Sequence, residues 1–138
     1  MRVVLDTCVL KLATLPSAIN PAALIVELAL AGLLEVWVSA AIAEEYTEVL
    51  ASDHPDFLAR FLGGVQVCHP LTELRIIRHE PDNRFLECAL AVEAEFIVTV
   101  NTARGHFDRA DYQGVRVVTP GVFVNLPEVR TLIARLAR

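Results

Sequence analysis

Apolar residues recur along the chain in two rhythms. Short runs rich in β-branched residues, Arg2–Leu5 (RVVL), Val36–Val38 (VWV), Phe96–Val100 (FIVTV) and Val115–Val118 (VRVV), are flanked by polar or glycine positions and predict strands. Their apolar character is continuous rather than alternating, which suits a parallel sheet covered on both faces. Helical spacing fills the intervals. Pro21–Ala31 ends at Gly32, and Ala40–Leu50 follows the N-cap Ser39 with Ile42, Tyr46, Val49 and Leu50 on one face. Pro55–Leu62 stops at Gly63-Gly64, Asp82–Ala94 follows Pro81, Thr119-Pro120 opens a short helix, and Pro127–Ala137 forms the last. The alternation implies a three-layer α/β/α sandwich around a central parallel sheet of about five strands, in one domain over residues 1–138.

Composition narrows the picture. Of 138 residues, 54% are hydrophobic, enough for a sizeable core and for an interface with a partner or a second copy. Charged residues at 21% exclude a disordered chain, and a net charge of -5 argues against a constitutive duplex-DNA binder. The charge is uneven: residues 1–100 hold six Lys+Arg against fourteen Asp+Glu, whereas residues 101–138 hold six Arg against three acids. An Arg-bearing edge of that kind can meet an anionic substrate. The three cysteines form no C-x-x-C pair, so neither a disulfide framework nor a zinc knuckle is expected, and a reducing cytoplasm is the default. Glu27, Gly32 and Glu35 break the longest apolar stretch, Ala22 to Val38, so no membrane span is expected, and Asp6 interrupts any early signal-like run.

Candidate chemistry lies where the strands end. In a parallel sheet, sites form beyond the carboxyl ends of the strands. Asp6 follows the first strand and Asn101 follows FIVTV. Glu45 borders the buried face of the Ala40–Leu50 helix, and Asp82 opens the helix before FIVTV, where the macrodipole favours a carboxylate. Taken singly, Asp6 reads equally as a turn cap, whereas Glu45 reads more readily as a solvated helix residue and Asp82 as an N-cap. Gathered at one sheet edge, three carboxylates repel unless a cation sits among them, and the only lysine is Lys11. A hard divalent ion, Mg²⁺ or Mn²⁺, is the natural partner. An enzyme phosphorylated on Asp6 would need a lysine from a later strand end, which does not exist here. A dinucleotide fold would need a G-x-G-x-x-G after the first strand, and that too is missing.

Four blocks carry a resemblance: VVLDTCVL at the start, SAAIAEEYTEVL from Ser39 to Leu50, DNRFLECA from Asp82 to Ala89, and IVTVN with the later GHF and VVTP. Together they resemble the PIN domain, a metal-dependent ribonuclease fold, and within it the branch of toxins from toxin–antitoxin systems. The resemblance implies that Asp6, Glu45 and Asp82 are the core acids holding Mg²⁺ or Mn²⁺. Asn101 stands where a fourth acid is usual, Cys8 where an asparagine is usual, and Val100 where a glycine is usual. It implies cleavage of single-stranded RNA, with Thr99 and Asn101 positioning water or phosphate and Arg104, Arg109 and Arg84 gripping flanking phosphates. An antitoxin protein and a homodimer or higher homo-oligomer are the implied partners. Asn101 and Cys8 also admit a second reading, a catalytically weak module that binds RNA or a protein. Asp108 is a candidate replacement for the missing charge, while His79 and His106 read as structural histidines, and Trp37 and Tyr46 as core.

Overall fold

The computed structural model describes residues 1–16 and 20–137. In chain order these form β1 (Arg2–Leu5), α1 (Thr7–Ala13), α2 (Pro21–Leu30), β2 (Glu35–Val38), α3 (Ala40–Leu50), α4 (Pro55–Leu62) and β3 (Gln66–Val67). There follow α5 (Asp82–Ala91), β4 (Phe96–Val98), β5 (Asp111–Tyr112), β6 (Val115–Val118), α6 (Pro120–Val124) and α7 (Pro127–Leu136). The sheet has six strands in the order β3-β2-β1-β4-β6-β5. All pairings are parallel except β5 with β6. Val3, Val4 and Leu5 of β1 and all of β4 are fully buried, as their unbroken apolar runs require. Helix α5 packs on β1, β2 and β4, while α2 packs on α1, α4, α6 and α7.

The sequence expectations are corrected at four places. The expected five parallel strands are present, and the addition is a sixth strand, β5, which runs antiparallel through a two-residue turn with Gln113 and Gly114 both at positive φ (54° and 96°). Helix α1 begins directly after Asp6, where no helix was expected. Val49 is 40% exposed, because the buried stripe of α3 runs through Ile42, Tyr46 and Leu50 at four-residue spacing. Helix α5 stops at Ala91, three residues early. Glu93 takes φ 53°, and Ala94 N–H closes back on Ala89 O at 2.8 Å in a Schellman-type stop.

Strand order reverses between β1 and β4. The chain leaves β1 towards β2 on one side, and β4 continues to β6 on the other. The crevice beyond their carboxyl ends is the expected ligand position of an open α/β sheet.

Candidate active site at the sheet switch point

Asp6 caps α1 as its strand ends, and its Oδ1 accepts from Thr7 N at 2.8 Å. Its Oδ2 accepts from Thr99 Oγ1 at 2.7 Å, from Asn101 Nδ2 at 3.3 Å and from the Cys8 thiol at 3.5 Å. Thr99 is itself fixed, because its hydroxyl accepts from Asn101 N at 2.9 Å and its backbone N–H reaches Val118 O at 3.0 Å. Residues from the ends of β1 and β4 therefore hold one carboxylate that is 4% exposed. The turn-cap and metal-ligand readings of Asp6 are compatible: one oxygen caps the helix, and a carboxylate offers about four lone-pair positions.

Glu45 joins this set through Thr7, whose hydroxyl donates to Glu45 Oε2. The neighbouring Tyr46, fully buried, donates its hydroxyl to Leu5 O and ties α3 to the end of β1. Asp82, 3% exposed, lies at the start of α5. Its Oδ1 is 3.2 Å from His79 Nδ1 and its Oδ2 is 3.0 Å from His106 Nδ1.

The acids feel one another. Burial raises the pKa of Asp6, and the charge of Asp82 adds to it, against the hydrogen bond from Thr99. Burial also raises Glu45, opposed by the bond from Thr7 and reinforced by the charges of Asp6 and Asp82. Burial beside Asp6 pushes the Cys8 thiol up to about 11, so it stays protonated and serves as a donor. Among the described residues, no Lys or Arg lies within 4.0 Å of Asp6, Glu45 or Asp82. A set of three carboxylates and an amide, short of positive charge, fits a hard divalent ion. The metal-capable side chains with ligand atoms all within 4.8 Å of one another are, however, His79, Asp82 and His106 rather than the three acids.

The arginines divide. Arg104 and Arg109 line a polar cleft of about 220 Å³ with Arg78, His106, Asp108 and Tyr112. No carboxylate among the described residues comes within 4.0 Å of these three guanidinium groups, and Arg109 lies over the Tyr112 ring at 5.5 Å. Arg84 is placed differently. Its Nη2 bonds Glu80 and Glu87 at 2.9 Å each and Leu74 O at 3.2 Å, while its buried Nε has no partner among the described residues, so the guanidinium is engaged within its own neighbourhood. Asp108 accepts from Gly105 N at 3.1 Å and Tyr112 OH at 3.5 Å, holding its loop.

Arg78 is not singled out by the sequence, and His79 and His106, which read there as structural histidines able to lie near the site, touch Asp82. The signal available was adjacency alone, since His79 stands three residues before Asp82 and His106 five after Asn101. The contact that joins them, His79 N–H to Gly105 O at 2.7 Å, links two loops and has no trace in a local pattern.

A buried carboxylate pair at the switch point of a mainly parallel sheet is an arrangement suited to a divalent cation. A family profile described as PIN domain matches residues 2–103, and the chain belongs to the PIN domain family. PIN domains are in general metal-dependent nucleases. The match includes Asp6, Glu45, Asp82 and Asn101. Neither a curated protein nor a solved structure matches the chain significantly. Among the described residues, no helix is long and apolar enough to cross a membrane.

Proposed function

We propose that the protein is an endoribonuclease that hydrolyses phosphodiesters in single-stranded RNA with Mg²⁺ or Mn²⁺. The observation that carries this reading is the pair of buried carboxylates, Asp6 and Asp82, the charge of Asp82 adding to the cost of ionising Asp6, with no Lys or Arg among the described residues beside either. Such an arrangement is stable at neutral pH when a cation neutralises it. Asp6, Glu45 and Asp82 would hold the ion. When bound, it supplies a Lewis acid for the phosphoryl oxygen and lowers the pKa of a water. Thr99 and Asn101 fix the Asp6 carboxylate, Thr7 fixes Glu45, and Tyr46 anchors the helix that presents Glu45. Arg78, Arg104 and Arg109 present unpaired guanidinium forks beside His106, where the backbone of a bound strand would leave its phosphates.

The toxin assignment, with a cytoplasmic setting, an antitoxin partner and self-association, rests on the sequence blocks around Glu45 and Asp82. One observation favours the second reading, a weakly catalytic RNA- or protein-binding module. Where a fourth acid would add charge, Asn101 turns its amide towards Asp6 and satisfies it without a metal.

Cleavage of a fluorescent single-stranded RNA, titrated with Mn²⁺ and Mg²⁺, decides between them. The nuclease reading expects turnover that needs the ion and falls about a hundredfold or more in Asp6→Asn. Equal cleavage by the variant, or none by wild type with either ion, sinks it.

A further inference from the structure

Asp82 has two neighbours that the nuclease reading leaves without a task. His79 comes from the loop before α5, and His106 from the loop after β4. Their Nδ1 atoms stand 3.2 Å and 3.0 Å from the two Asp82 oxygens, and their ring centroids are 4.5 Å apart. The backbone holds this geometry. His79 N–H donates to Gly105 O at 2.7 Å, Asp82 N–H to His79 O at 3.0 Å, and His106 N–H to Ala103 O at 3.0 Å. Phe107, 1% exposed, anchors the second loop beside His106. The carboxylate is buried, whereas the side chains of His79 and His106 are 50% and 33% exposed, so the cluster opens to solvent on its imidazole side. Two ligands on a tetrahedral ion at the usual 2.0–2.1 Å lie about 3.4 Å apart, close to the separations found here.

We propose that His79, Asp82 and His106 form a mixed nitrogen–oxygen site for a borderline divalent transition ion such as Mn²⁺, Co²⁺ or Zn²⁺, and that this site biases the protein against Mg²⁺. Imidazole nitrogen favours the transition ions, while Mg²⁺ keeps to oxygen ligands and holds its waters. The proposal deepens the nuclease reading, on which it rests only through the shared residue Asp82. It sets that residue between an acid side, Asp6 and Glu45, and a histidine side.

Cobalt(II) is the probe, because its visible absorption reports nitrogen ligands and coordination number directly. Tag-free wild type, His79→Ala, His106→Ala, the double variant and Asp6→Asn are titrated with Co²⁺ by absorption and with Mg²⁺ by calorimetry. Thermal unfolding of each metal-free sample checks folding, and His79→Gln and His106→Gln serve if an alanine variant is unfolded. The expected result is a Co²⁺ band in wild type, weakened at least about tenfold in affinity by each histidine substitution, with Mg²⁺ binding unchanged. Asp6→Asn should keep the band. A double variant that binds Co²⁺ with the wild-type spectrum and affinity overturns the site and leaves the nuclease reading untouched. A histidine-dependent cobalt band in a protein that cleaves no RNA with any ion keeps the site and removes the nuclease.

Discussion

At the scale of single residues, the site turns on how tightly Asp6 and Glu45 hold protons. Both carboxyls are raised above their ordinary values, 3.8 and 4.5, chiefly by burial. A raised carboxyl means that the folded chain binds more protons than the unfolded chain in the window above the ordinary value. Stability contributed by these groups therefore falls as pH rises through that window and stays low at neutral pH. Metal-free Asp6→Asn, which has no such charge, should gain in unfolding temperature over wild type on going from about pH 4 to about pH 7. Adding Mn²⁺ at neutral pH should stabilise wild type more than the variant, by the usual mass action of a native-state ligand. Differential scanning fluorimetry at the two pH values reads both effects, and a constant gap between the proteins would place the strain elsewhere. In the sequence Asp6 stands out as a charge ending an apolar run, whereas Glu45 stands out only through the blocks that resemble PIN domains. The nearness of His79 and His106 to the site shows in sequence adjacency, but their meeting on Asp82 depends on which loop meets which.

At the scale of elements, the joint between β1 and α3 decides where Glu45 sits. Tyr46 reaches across to Leu5 O, and Thr7 of α1 reaches Glu45. Tyr46→Phe keeps the ring packing against Phe61 and Phe85 but removes the hydroxyl that satisfies a buried carbonyl. The expected loss is about 1 kcal/mol of stability, read from the urea midpoint at unchanged slope. A loss beyond about 3 kcal/mol would mean that the hydroxyl holds more than one contact. The cores of β1, α3, α5 and β4 could be read from apolar runs and caps, and Ser39, Asn20 and Thr119 do cap their helices as such residues should. Helix α1 could not, because TCVLKLA is only seven residues long and its cap, Asp6, reads equally as the end of a strand. Strands β3 and β5 are two-residue pairings, too short for any alternation to show.

Across the whole molecule, the nuclease reading asks an acidic protein to attract a polyanion, and three arginines meet in one cleft. The body carries fourteen acids over residues 1–100, yet Arg78 from that part meets Arg104 and Arg109 from the Arg-bearing remainder in one cleft. Attraction through such forks releases counterions from single-stranded RNA, so affinity falls with salt in proportion to the phosphates neutralised. Replacing Arg78 or Arg104 by alanine in a binding assay with a non-cleaving Asp6→Asn background should lower the slope of log affinity against log salt by about 0.7 per residue. Arg84→Ala is the contrast. Its fork already serves Glu80, Glu87 and Leu74 O, so its loss should lower stability by leaving those groups unpaired while the salt slope stays at the wild-type value. If Arg84→Ala lowers the slope and Arg78→Ala does not, the strand runs over the face of α5, and the cleft beside His106 serves something other than RNA.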